Sequence, residues 1–178
     1  DNMVVANRSR SAIAEQFRAM RTNLSFYLNG KDEKVILLTS SMSGEGKSFV
    51  AINFGNILAL SGKKVLLMEL DLRKPGLSVK LNLPNVKGFT NYIIQDELKA
   101  NDLVQQLPFQ ENLYLLSSGP IPPNPAETIL HARTMELMNE LKTQFDYIIV
   151  DAPPIGVVAD AQLLESYADL ALYIVRQG

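Results

Sequence analysis

The sequence predicts an α/β fold with a mainly parallel sheet flanked by helices, and three observations carry that prediction. Residues 35–38 (Val-Ile-Leu-Leu), 65–68 (Val-Leu-Leu-Met) and 147–150 (Tyr-Ile-Ile-Val) are short runs that are apolar throughout. Uniform apolarity, in place of alternation, is the pattern of parallel strands covered on both faces. A helical stretch separates the first two runs, and strand–helix–strand at this length is a βαβ unit with a right-handed crossover. The chain of 178 residues, 47% hydrophobic, has enough apolar material for the core of one domain.

The elements follow in order. Residues 1–10 are polar and read as irregular. Residues 11–28 read as a helix, because Ala14, Phe17, Leu24 and Leu28 recur at helical spacing while Glu15, Arg18 and Arg21 form a charged stripe. Residues 35–38 are a strand. Residues 47–60 are a helix closed by Ser61-Gly62, and 65–68 are the next strand. Residues 76–87 read as a loop, and 89–95 and 100–107 as short helices. Residues 112–116 are a strand and 119–125 a proline-rich turn. Asn124 then caps a helix with Pro125 at its first position and Glu127 at its third, running to about Gln144. A strand at 147–150, a helix at 160–167 and a strand at 170–175 complete the chain. Tyr147 and Tyr173 are expected to be buried in their strands.

Composition excludes several functions. There are no cysteines, hence no disulfide and no thiolate zinc site, which fits a reducing compartment. One histidine, His131, cannot build a histidine-rich metal site. The net charge of -2 and the lack of any block of like charge argue against a nucleic-acid partner. No apolar run reaches the roughly 20 residues that a membrane span needs, so the segment is expected to be soluble, with any anchor lying elsewhere.

Three sites carry chemistry. The first is Ser40-Ser41-Met42-Ser43-Gly44-Glu45-Gly46-Lys47-Ser48, between a predicted strand and a predicted helix. Gly44 and Gly46 free the backbone so that N–H groups can face a phosphate, and the helix N-terminus adds its partial positive charge. This is the pattern of a P-loop, in which Lys47 reaches the β- and γ-phosphates and Ser48 places its hydroxyl on Mg²⁺. Ser41 stands where the usual first glycine would be. The second site is Asp151, at the end of the third apolar run, a carboxylate suited to holding Mg²⁺ through water. The third is Glu69-Leu70-Asp71-Leu72-Arg73, after the second run. Alternation along a strand would stand Glu69 and Asp71 together beside the nucleotide, where carboxylates take up a metal ion or accept a proton from an attacking hydroxyl.

Together these residues resemble the bacterial tyrosine kinases, which use a P-loop ATPase scaffold of the deviant Walker A (MinD/ParA-like) type. That family allows Ser at the first glycine. Its Walker A′ motif, Asp-x-Asp-x-Arg, is similar to residues 69–73 with Glu69 in place of the first Asp, and its Walker B motif resembles Ile148-Ile149-Val150-Asp151. Its Glu-x-x-Arg-x-x-Arg helix motif matches Glu15, Arg18 and Arg21, and the turn Gly119-Pro120-Ile121-Pro122-Pro123-Asn124-Pro125 also looks like the family.

The resemblance implies binding of ATP or ADP with Mg²⁺ by Ser43, Gly44, Glu45, Gly46, Lys47, Ser48 and Phe49. It implies Lys47, Glu69, Asp71 and Asp151 as catalytic residues, with Ser48, Asp71 and Asp151 around the metal. Glu69 is either the base or a group that orients Lys47 or a metal-bound water. The implied reaction is γ-phosphoryl transfer to tyrosines of a neighbouring subunit, in a cyclic homo-oligomer joined through Glu15, Arg18 and Arg21. Implied partners are a transmembrane activator, fused or separate, and a cognate tyrosine phosphatase. The implied role is control of exopolysaccharide and capsule export at the cytoplasmic face of the inner membrane. Family members end in a tyrosine cluster that this sequence lacks. The expectation is therefore one kinase domain, residues 1–178, truncated or incompletely ordered at its C-terminus. Two rivals stay open. One is a MinD/ParA-like ATPase switch, against which Met42 argues, because that group carries a lysine there. The other is a non-catalytic, nucleotide-gated scaffold.

Overall fold

The computed structural model describes residues 4, 11–28, 30, 32–156 and 159–176. The irregular opening expected at residues 1–10 lies outside these, apart from Val4. In chain order the first elements are α1 (Ala12–Tyr27), β1 (Val35–Ser40), α2 (Lys47–Leu60), β2 (Val65–Glu69), α3 (Leu77–Leu81) and α4 (Phe89–Ile94). A 3-10 turn (Ala100–Asp102), β3 (Val104–Leu107), β4 (Gln110–Leu116), α5 (Pro125–Leu130) and α6 (Ala132–Gln144) follow, then β5 (Tyr147–Asp151), α7 (Asp160–Glu165) and β6 (Leu170–Ile174).

The six strands form one sheet in the order β3-β4-β2-β5-β1-β6. All neighbours are parallel except β3, which pairs antiparallel with β4. Alternate residues serve opposite faces, so both sets must be apolar. Val35, Leu37, Leu66, Met68, Ile148 and Val150 pack with Phe89, Leu137, Leu141 and Leu164 on one side. Ile36, Leu38, Val65, Leu67 and Ile149 pack with Phe17, Leu24, Ile52 and Phe54 on the other. α2 is apolar on nearly every side because it lies between this face and α1. Ser11 caps α1 by accepting from the Ala14 N–H at 3.2 Å, and Gly62, at φ 86°, lets the chain leave α2.

β1 and β2 are not neighbours, because β5 lies between them. The register pairs Leu38 with Asp151 on one side and Glu69 with Asp151 on the other. Asp151 therefore sits at the carboxyl ends of three strands, where open α/β sheets bind ligands.

Five expectations need correction. Residues 76–87 are not all loop, since they contain α3. Glu69, distant in sequence from its start, accepts hydrogen bonds from Ser78 N (3.0 Å) and Ser78 Oγ (3.1 Å) and so stabilises the short helix. Residues 100–107 are a 3-10 turn and an edge strand, because pairing with β4 satisfies the backbone there. The helix expected over 124–144 breaks at His131, whose ψ of 141° is extended. The break lets Arg133 donate to the carbonyls of Tyr92 (2.9 Å), Gln95 (3.3 Å) and Leu98 (3.3 Å), at and beyond the end of α4. Asn124 does not cap the backbone; it donates to Glu127 Oε2 at 3.1 Å. Tyr173, expected to be buried, is 51% exposed, on the strand that is last in the sheet among the described residues.

Candidate active site

The loop between β1 and α2 is braced from within. Ser40 Oγ donates to the Met42 carbonyl at 2.8 Å, and the Met42 N–H donates to Glu45 Oε2 at 3.0 Å. Gly44 (φ 90°) and Gly46 (φ 99°) take left-handed conformations with open space where a Cβ would stand. Glycine is required there by backbone conformation and not by crowding. No side chain caps α2, so the N–H groups of its first turn are left to face a ligand.

These groups open onto a cleft of about 360 Å³, lined by Ser43, Gly44, Gly46, Lys47, Ser48 and Phe49 from the loop and α2. Its opposite wall is Asp71, Lys74, Pro75, Gly76, Val79 and Lys80. Glu45 does not line the cleft; its carboxylate is turned back on the loop. A second cleft, of about 370 Å³, lies between α1 and β6. Its lining holds no charged side chain, so the chemistry belongs to the first.

Asp151 is buried, and its Oδ2 accepts from Ser48 Oγ at 2.7 Å. Its Oδ1 is buried with no hydrogen-bond partner among the described residues. Burial pushes the carboxyl up to about 7, against the opposing Ser48 hydrogen bond and Lys47 charge; the charges of Asp71 and Glu69 raise it further. An unpaired carboxylate oxygen beside a hydroxyl is a half-built site for a hard cation, so the residues fit Mg²⁺. Among the described residues no three His, Cys, Asp or Glu side chains cluster as a cage. That also suits Mg²⁺, which takes few protein ligands and completes its shell with phosphate and water.

The two Walker A′ carboxylates part company. Asp71 lines the cleft, with Oδ1 accepting from Lys74 N at 3.0 Å. Burial raises its carboxyl, opposed by the Lys74 hydrogen bond and the Lys47 charge. Glu69 is fully buried and does not line the cleft. One oxygen is held by Ser78, and the other accepts from Ser118 N at 3.2 Å. The two carboxylates, expected to stand together, thus differ in setting: Asp71 faces the cleft, while Glu69 is held behind it, level with Asp151. The strand ends there, and its side chain turns to satisfy two buried N–H groups. Its charge still reaches Asp71 and Asp151.

Sequence reasoning missed two features of the site. Arg73 donates through Nε (2.7 Å) and Nη2 (3.2 Å) to the buried Asp160, tying the segment after β2 to the start of α7. Only the motif Arg was legible; its partner lies 87 residues away. Gly76 abuts the Ser48 hydroxyl, since a Cβ there would stand 2.8 Å from Ser48 Oγ. Glu15 and Arg18 form an ion pair on α1, and they and Arg21 lie outside the cleft.

Residues 33–173 match the model of a family described as AAA domain. The chain is 38% identical over 179 aligned residues to the tyrosine-protein kinase YwqD of Bacillus subtilis, covering 99% of this chain and 74% of that one. It is 31% identical to a tyrosine-protein kinase named from the cps region of Klebsiella pneumoniae, of which it covers 22%. Among solved structures, the kinase domain of the Escherichia coli tyrosine kinase ETK superposes with a TM-score of 0.90 at 28% identity, over 98% of this chain and 68% of that one. The chimerical protein CapA2B2 gives 0.86 at 31%, over 96% and 77%. The septum site-determining protein MinD of Pyrococcus horikoshii, complexed with Mg-ADP, gives a lower 0.65 at 26%, over 80% and 57%. A nucleotide-binding cradle and these relatives agree: the chain belongs to the bacterial protein-tyrosine kinases built on a P-loop ATPase domain.

Proposed function

We propose that the chain is an autokinase. It transfers the γ-phosphoryl group of MgATP to tyrosine hydroxyls of a neighbouring copy, in the control of capsule or exopolysaccharide polymerisation and export. The observation that carries this reading is the meeting of Lys47, Ser48, Asp71 and Asp151 at one end of the sheet, with Asp151 Oδ1 unpaired.

The backbone N–H groups of residues 43–48 and the Lys47 ammonium bind the β- and γ-phosphates. Ser48 Oγ and Asp151 would hold Mg²⁺, which when bound neutralises charge on those phosphates. Asp71, facing the cleft, accepts the proton of the attacking tyrosine hydroxyl, and the burial that raises its pKa makes it a stronger base. Glu69 positions. Through Ser78 and Ser118 it fixes α3 and the segment after β4, the frame in which Asp71 and Lys74 are set. Positioning and charge neutralisation supply most of the rate, as is general for phosphoryl transfer.

Assembly is through α1, with Glu15, Arg18 and Arg21 on a head-to-tail contact. Partners are a transmembrane activator, fused or separate, and a tyrosine phosphatase. No helix among the described residues is long and apolar enough to cross a membrane; the reading puts the domain at the inner membrane face with that activator.

The experiment is transfer of labelled phosphate from MgATP to a tyrosine-rich peptide, set against hydrolysis to inorganic phosphate. Transfer is expected, and Lys47→Met should lose it at least 100-fold while keeping its circular dichroism. Hydrolysis without transfer would favour the MinD-like switch, against which the identity of Met42, where that group carries a lysine, argues. Nucleotide binding without either activity would mean a scaffold.

A further inference from the structure

The cleft has two walls of different chemistry. The phosphate loop and the start of α2 form the first. The second is the segment that leaves β2, namely Asp71, Lys74, Pro75, Gly76, Val79 and Lys80. It starts from the interior of the sheet, where β5 and β1 separate β2 from β6. The two walls meet where Gly76 abuts Ser48. Around that point the second wall presents two cations and one bare apolar side chain.

Local structure sets these groups outward. Lys74 N donates to Asp71 Oδ1 at 3.0 Å, a turn that keeps Lys74 beside the carboxylate. Arg73, the residue before it, is held by the buried Asp160. The Lys74 ammonium has no ion pair or hydrogen bond among the described residues. In α3, Leu77 and Ser78 are buried, while Val79 and Lys80 are exposed, Val79 at 74%. Lys80 N donates to the Gly76 carbonyl at 3.1 Å, which ties this turn to the contact with Ser48.

An acceptor whose hydroxyl reaches Asp71 lies along the wall that carries Asp71, because nucleotide fills the other. Pro75 and Val79 offer apolar surface to a phenol ring, and the lysines meet the residues on either side of it. Bound MgATP is anionic and repels an acidic peptide; two cations on the acceptor's wall oppose that repulsion.

We propose that Lys74 and Lys80 make this wall the docking face for the acceptor, and that they select tyrosines flanked by aspartate or glutamate. The proposal rests on the kinase reading, with Asp71 at the acceptor hydroxyl. A single exposed charge pair is weak. Two lysines that attract one sign and repel the other should separate acidic from basic acceptors by about tenfold. The lysines act on binding and not on the transferred group, so the separation falls on KM more than on kcat.

The test uses the full chain, MgATP and three synthetic peptides. Each has one central tyrosine, flanked by glutamates, by serines or by lysines. The glutamate peptide should have a KM about tenfold below that of the lysine peptide, and the gap should narrow at high salt. Lys74→Glu with Lys80→Glu should reverse the order, so that the lysine peptide becomes the better acceptor; a damaged fold does not produce that gain. Equal use of the three peptides by the parent overturns the proposal. So does an order that the double variant keeps. A variant that loses MgATP affinity tenfold with the order unchanged also overturns it, and assigns the lysines to the nucleotide. If no peptide is phosphorylated, the kinase reading fails, and fluorescence anisotropy of the same peptides with MgADP decides the docking face. Tighter binding of the glutamate peptide, reversed in the double variant, supports the face as an acidic-peptide site; binding without preference overturns it.

Discussion

At the scale of single residues, the two Walker A′ carboxylates should separate in experiment as they do in space. Asp71→Asn is expected to lower tyrosine phosphorylation by 100-fold or more, the loss of a general base, with MgATP affinity within about tenfold. Glu69→Gln turns an amide N–H₂ toward N–H groups that need an acceptor. It should cost about 1–3 kcal/mol of stability, seen as a lower melting temperature, and reduce transfer less than Asp71→Asn does. The reverse order would restore Glu69 as the base. Asp151 gives a pH signature. Its carboxyl, ordinarily at 3.8, is held near 7 in the fold. Between those values the metal-free native state binds more protons than the unfolded chain, so stability falls as pH rises from about 4 to about 7 and then levels. Each unit is worth about 1.4 kcal/mol. Asp151→Asn should flatten this slope in chelator-treated protein, raise its melting temperature at pH 8, and abolish the gain in nucleotide affinity on adding Mg²⁺. A slope unchanged by the substitution would mean that another group titrates. These residues were legible in the sequence by type and spacing. The clamp on Glu69 was not, because Ser78 and Ser118 reach it only after the chain has folded.

At the scale of elements, the strands and long helices were readable where one period dominated. α2 was bounded correctly from Lys47 to Leu60, because a glycine-rich loop precedes it and Ser61-Gly62 ends it. The misread elements are those decided by distant partners: α3 by Glu69, β3 by β4, and the break at His131 by Arg133 reaching the end of α4. α3 also matters to chemistry, for its N-cap, Gly76, lies against Ser48. Gly76→Ala is acceptable to the local backbone, at φ -123°, but its methyl group displaces the Ser48 hydroxyl. MgATP affinity should fall about tenfold while affinity measured without Mg²⁺ changes little. Titration calorimetry in both conditions checks this; equal losses would point to a general collapse of the wall.

At the scale of the whole molecule, the α/β class and parallel sense followed from uniformly apolar strands, whereas strand order did not. Nothing in the sequence shows that β5 inserts between β1 and β2, yet this brings Asp151 to Ser48. Assembly is tested at the same scale. Arg18→Ala with Arg21→Ala should leave a monomer by analytical ultracentrifugation in MgADP while melting within a few degrees of the parent, since surface ion pairs such as Glu15–Arg18 add little. An oligomer that survives both changes would place the contact elsewhere.

The edge strand β3 has a bearing on how such copies can meet. It is four residues long, carries an irregularity between Gln106 and Leu107, and is followed at once by Pro108. A short, kinked edge that ends in a residue without an N–H is a poor template for another strand. Crowded copies held close together would therefore resist zippering into fibrils along that side, and stay free to come apart.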